Sequence, residues 1–136
     1  MSYNPLGTFR LEAAELLDEI EQAALSLDSA GWTQETIHRL FRAFHTIKGS
    51  GAMCGLDAIA GFTHHVESLL DRVRDGSIPV TPELTGVVLQ ARDHIRWLLD
   101  SEDAGGDAGE ALIALIGRLS EDPGATAEAV AAETAP

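Results

Sequence analysis

The run His45-Thr46-Ile47-Lys48-Gly49-Ser50-Gly51 sets an imidazole, an ammonium one helical turn later and then a patch nearly bare of side chains. Glycine costs roughly 1 kcal/mol against alanine in a helix interior, yet Gly49 and Gly51 both fall inside a helical pattern. Clearing room for another molecule to approach His45 would justify that cost. The chemistry that suits the run is phosphorylation of an imidazole nitrogen. A basic side chain holds the phosphoryl group, and bare backbone lets a donor or acceptor dock.

Outward from this run, the apolar spacing reads as helices. Behind Thr33 as N-cap, Ile37, Leu40, Phe41, Phe44 and Ile47 follow an i, i+3, i+4, i+7 stripe. Cys54-Gly55-Leu56 turns the chain, and Asp57 is expected to cap a third helix that buries Ile59, Phe62, Val66, Leu69, Leu70 and Val73 and ends at Gly76. Upstream, a first helix over about 8–27 starts at Thr8, carries Phe9, Leu16, Leu17 and Ile20 on one stripe, and is broken by Asp28-Ser29-Ala30-Gly31. Downstream, Thr81-Pro82-Glu83 opens a fourth helix through Leu89, Ile95, Leu98 and Leu99. Asp107-Ala108-Gly109-Glu110 approximates a capping box before a short fifth helix over 111–119. Short connections between amphipathic helices imply antiparallel neighbours. The expectation is an all-α fold: an antiparallel up-down four-helix bundle with an additional C-terminal helix. It spans 1–120 and is followed by a disordered acidic, Ala-rich tail or linker over 121–136.

Helical phase makes a sharper prediction. At roughly 100° per residue, His45 lies one step off the centre of its stripe at Phe44, and Glu67 lies one step off Val66 with the same sign. Flanks of the same sign face each other between antiparallel neighbours. Residue 56, in the turn, is midway between His45 and Glu67, so the two stand at one height above it. A carboxylate that accepts a hydrogen bond from Nδ1–H fixes the imidazole tautomer and leaves Nε2 outward as the nucleophile. Lys48, one turn beyond, can reach phosphoryl oxygens as a point charge.

Leu40-Phe41-Arg42-Ala43-Phe44-His45-Thr46-Ile47-Lys48-Gly49, then Gly55, then His64-His65-Val66-Glu67-Ser68-Leu69-Leu70-Asp71, resembles the histidine phosphotransfer (HPt) family. The likeness is closest to the N-terminal phosphotransfer domain of CheA-type chemotaxis histidine kinases. The pattern His-x-x-Lys-Gly is short alone; Gly55 and His64-x-x-Glu67 at the family's spacing make it strong. Ser50, Met53 and Cys54 depart from the usual glycine-rich stretch. The resemblance implies that His45 is phosphorylated, with Glu67, Lys48 and His64 in its hydrogen-bond network. The face around His45, with Gly49, Ser50 and Ala52, is expected as the docking surface, and Asp71, Arg72, Arg74 and Asp75 as a solvated face of which Asp71 and Arg74 can border it. The implied partners are a histidine kinase catalytic domain, which brings ATP and Mg²⁺, and the receiver domain of a response regulator. No cofactor is expected on this chain, and no ATP-binding element is present in it, so it cannot phosphorylate itself. The first domain of a longer kinase of this type is expected over a free-standing phosphotransfer protein.

Bulk properties agree. The 136 residues suit one domain. A net charge of −13 argues against nucleic acid and anionic membrane surfaces. A single Cys excludes an internal disulfide. No apolar run approaches the roughly 20 residues of a membrane span, and no signal peptide is legible at the start, so a cytoplasmic chain without membrane insertion is expected. The competing readings are a helical interaction or adaptor bundle without phosphotransfer chemistry, and a metal site from His38, His45, His64 and Glu67. His64 and His65 cannot both face one metal. Cys54 is expected as a small buried apolar residue, Trp32 and Trp97 as packing residues, and His38 and His94 as surface residues.

Overall fold

The computed structural model describes residues 4–26, 32–101 and 107–121. The helix break at 28–31 and the tail over 122–136 lie outside the described residues, as does the side chain of Asp107 in the expected capping box. The described residues form five helices: α1 Pro5–Leu25, α2 Gln34–Met53, α3 Asp57–Arg74, α4 Pro82–Asp100 and α5 Asp107–Glu121.

Two of the four expected N-caps on described side chains hold. Thr33 accepts from the Thr36 amide and Thr81 from the Leu84 amide, with Pro82 in the first turn. The other two are corrected. α1 starts before Thr8, because Asn4 accepts from the Gly7 amide and Pro5 takes the first turn, where its missing N–H costs nothing. α1 stops at Leu25, with Ser26 as C-cap. α3 has Leu56 as N-cap and no side-chain cap; Asp57 sits inside its first turn, where a carboxylate complements the helix dipole.

The connection from α2 to α3 is short because α2 closes on a Schellman motif. The Leu56 amide donates to the Gly51 carbonyl (2.9 Å) and the Gly55 amide to Ala52 (3.1 Å). Gly55 takes φ +78° there, the left-handed conformation that a side chain opposes. α3 ends in the same way, on Gly76 at φ +89°, with Ser77 donating to Arg72 and Gly76 to Val73.

All five helices feed one apolar core, which includes Phe9, Leu17, Ile20, Leu40, Phe44, Ile47, Leu70, Ile95 and Ile116. α2 packs on α1 and α3, α4 packs on α1 and α3, and α5 packs on α3 and α4. Each large apolar side chain buried contributes about 1.5–3 kcal/mol. Leu16, Phe41 and Leu89, expected inside, are only partly buried against this core. Ion pairs stitch its rim: Arg92 reaches Glu21 (2.9 Å) while its Nε–H donates to the Leu17 carbonyl (3.2 Å), and Arg39 reaches Glu19 (2.7 Å). Exposed pairs contribute at most about 1 kcal/mol each, so the core dominates. Among the described residues no helix is long and apolar enough to cross a membrane.

Candidate functional site

α2 carries His45 on its exposed flank and α3 carries Glu67 opposite it. His45 Nδ1 stands 3.1 Å from Glu67 Oε2, and Lys48 Nζ stands 2.8 Å from the same oxygen. One carboxylate oxygen therefore binds two groups from successive turns of α2. The imidazole is 59% exposed and the carboxylate 15%. Burial alone would raise the Glu67 carboxyl, but hydrogen bonds from Lys48 and His45, reinforced by their charges, outweigh it and hold the group below its ordinary value. The carboxylate stays ionised at neutral pH and accepts from Nδ1–H. That tautomer leaves the Nε2 lone pair free, and among the described residues Nε2 has no hydrogen-bond partner.

The two glycines of the run part company. Gly49 is exposed, and a Cβ built on it would meet nothing within 4 Å. Gly51 is buried, and its Cβ would lie 3.4 Å from Ile59 and 3.6 Å from Phe9. Gly49 is open to an incoming molecule, whereas Gly51 faces the core between α1 and α3, where a Cβ would make ordinary van der Waals contact. Ala52 lies exposed on the Gly49 face, as does Met53, which is 90% exposed. Ser50 turns the other way: its hydroxyl donates to Glu12 Oε1 on α1 (3.3 Å), so it belongs to the α1–α2 seam. Lys48, expected to face phosphoryl oxygens, rests on the carboxylate. Asp71 is exposed and ion-paired with Arg74.

His64 is not brought into the network. It is exposed, its ring neighbour is His65 at 6.3 Å, and it makes no hydrogen bond among the described residues. His38 also stands apart, and among the described residues no three His, Cys, Asp or Glu side chains gather as a metal site would need. Cys54 is partly buried, with Sγ 3.7 Å from the Pro5 carbonyl. Trp32 packs inside and donates Nε1–H to the Ala24 carbonyl (3.1 Å). Phe41 was read from the sequence only as core. Its ring lies parallel to the His45 ring within 9° at 6.0 Å, and the Arg74 guanidinium sits 4.1 Å from its centroid. The available signal was an aromatic residue four positions before the histidine, the spacing at which helical side chains meet.

The family model for the Hpt domain matches residues 6–121. The chain is 37% identical over 94 residues to the chemotaxis protein CheA of Borreliella burgdorferi, covering 69% of this chain and 11% of that protein. It is 35% identical over 100 residues to the sensor histidine kinase CheAY of Helicobacter pylori, covering 73% and 12%. It thus spans about an eighth of the length of these relatives. Among solved structures, it is similar to the phosphorylated P1 domain of CheA3 from R. sphaeroides, crystallised in complex with CheY6. The TM-score is 0.76 at 29% identity, and the match covers 85% of this chain and 98% of that one.

Proposed function

The chain belongs to the Hpt domain family, and we propose that it is the phosphotransfer module of chemotaxis-type two-component signalling. His45 accepts a phosphoryl group from a histidine kinase catalytic domain and passes it to an aspartate of a response regulator. The carrying observation is the pairing of Nδ1 with Glu67, which leaves Nε2 open to solvent on a face cleared by Gly49.

In the first transfer the Nε2 lone pair forms a bond to the γ-phosphorus of ATP. The bond from phosphorus to the bridging oxygen breaks, and its electron pair leaves on ADP. Positive charge develops on the imidazole, and the Glu67 carboxylate stabilises it through Nδ1–H without taking the proton. Lys48, already beside that carboxylate, compensates its charge and lies one turn from the phosphoryl oxygens. In the second transfer an aspartate oxygen of the receiver domain attacks phosphorus, the N–P bond breaks, and its electron pair returns to Nε2. Phosphoryl transfer depends chiefly on positioning and charge stabilisation, which is what these side chains offer. ATP and Mg²⁺ belong to the partner domains, and the reading puts the chain in the cytoplasm with them. The finer architecture in this reading is an antiparallel up-down four-helix bundle of α1–α4 with α5 alongside. The closed circuit of packing α1–α2–α3–α4–α1 supports it.

Incubation with a kinase catalytic domain and radiolabelled ATP·Mg²⁺ tests the proposal. An acid-labile, alkali-stable label is expected on the native chain, with none on His45→Gln, and the label should leave when a receiver domain is added. Glu67→Gln should label about 100-fold more slowly, the scale of losing one preorganised group that stabilises charge developing in the transition state. A folded chain that takes no label would be an interaction bundle without this chemistry.

A further inference from the structure

Phe41 stands outside the His45–Lys48–Glu67 group yet its ring lies against His45, and Arg74 covers Phe41 in turn. Phe41, His45 and Lys48 recur at i, i+4 and i+7 on α2, and Glu67 and Arg74 at i and i+7 on α3. Residues seven apart share a helix face. The two faces meet as a ladder of three contacts: Lys48 on Glu67, His45 on Glu67, and Phe41 under the Arg74 guanidinium. The lowest rung is held from outside, because Arg74 is also ion-paired to Asp71.

A single hydrogen bond fixes where Nδ1 sits but acts as a hinge for the rest of the ring. The imidazole is 59% exposed, so little else stops it tilting. The flat neighbour within reach is Phe41, parallel within 9° at 6.0 Å. The Nε2 lone pair lies in the ring plane, so tilting the plane moves the lone pair off the line of attack on phosphorus. Resting on the phosphotransfer reading, we infer that Phe41 and Arg74 are positioning residues for His45. Phe41 sets the plane of the imidazole, and Arg74 clamps Phe41 from α3. The histidine is thus held from α3 at two points, directly through Glu67 and indirectly through Arg74.

Two phosphodonors separate positioning from docking: the kinase catalytic domain with ATP·Mg²⁺, and phosphoramidate with Mg²⁺, which needs no docking surface. Labelling rates, each corrected for the same donor's rate on His45→Gln, are measured for the native chain, Phe41→Leu, Phe41→Tyr and Arg74→Met, with folding checked by circular dichroism. Aromatic pairing energies correspond to about two- to tenfold in rate, so Phe41→Leu should slow labelling by about that factor with both donors alike. Phe41→Tyr, which keeps the flat face, should recover the rate. Arg74→Met, at an exposed position, should slow both donors in the same direction. In proton spectra, the ring-current shift that Phe41 imposes on the His45 ring protons should vanish in Phe41→Leu and shrink in Arg74→Met. Native rates with phosphoramidate for both Phe41→Leu and Arg74→Met would overturn the inference. So would slowing confined to the kinase domain, which would make this a docking contact. Failure of the phosphotransfer reading itself looks different: with the kinase catalytic domain the native chain takes no label, or His45→Gln keeps it.

Discussion

At the scale of the residue, Gly49 separates a packing role from a docking role most clearly. A side chain there meets open space, so Gly49→Leu should fold and gain roughly 1 kcal/mol in helix propensity. On the proposed function, an incoming receiver domain must bring its aspartate within bonding reach of a group that projects only a short way from α2. The leucine should therefore hold it away and slow transfer to the regulator by about tenfold or more, as misplacement of reacting groups does. The check is a time course of label loss from the purified phosphorylated variant after adding regulator and Mg²⁺. Native rates would mean that the regulator docks elsewhere. Gly51 makes the contrast, since its Cβ would lie in van der Waals contact with Ile59 and Phe9 within the core, out of reach of a partner.

At the scale of the element, α5 leans on a titratable ring. His94 of α4 stacks on Trp97 at 5.6 Å, takes Phe62 of α3 edge-on at 4.5 Å, and stands where a Cβ on Gly109 of α5 would come within 2.7 Å of Nε2. Glu110 and Arg118 of α5 and Asp93 of α4 line the clefts on either side. Far from being a plain surface residue, His94 is a spacer between helices, and burial lowers its pKa. The unfolded chain, whose histidine titrates near about 6.5, then binds the proton more readily than the folded one. Stability is therefore complete above that range and falls as pH descends through it toward the depressed folded value. The melting temperature of the native protein should drop more between pH 7.5 and pH 5.5 than that of His94→Phe, with Trp97 fluorescence reporting the loosening. Parallel pH profiles for the two proteins would remove His94 as the cause.

At the scale of the whole molecule, all five helices share one core, so they should melt together. Trp32 lies buried just before α2, bonded to α1, and Trp97 lies half-exposed on α4, which gives two probes far apart in sequence. Helical circular dichroism and tryptophan fluorescence should trace one coincident unfolding transition, as a two-state domain does. Phe44→Ala, which empties a fully buried position, should cost about 3–5 kcal/mol and move both signals equally. Separate transitions would show that α4 and α5 form an independent unit.

Much of this was legible before any coordinates. The all-helical class, the caps at Thr33 and Thr81, the stop at Gly76 and the facing of His45 and Glu67 all follow from local rules. Those rules are helical phase, side-chain capping and the height of two positions above a hairpin turn, and none of them needs a distant contact. Other features were decided by which helices meet and how closely. Gly51 and Gly49 look alike in the sequence, and only the approach of Phe9 and Ile59 assigns one to the core. Lys48 rests on Glu67, Ser50 turns to Glu12, and His64 stays out of the network although it is one turn from Glu67. Phe41 reads as core by spacing, yet Arg74, 33 positions along the chain, caps its ring. Long polar side chains have several rotamers within reach of several partners. Phase says which face they leave from, but the crossing of two helices selects the partner.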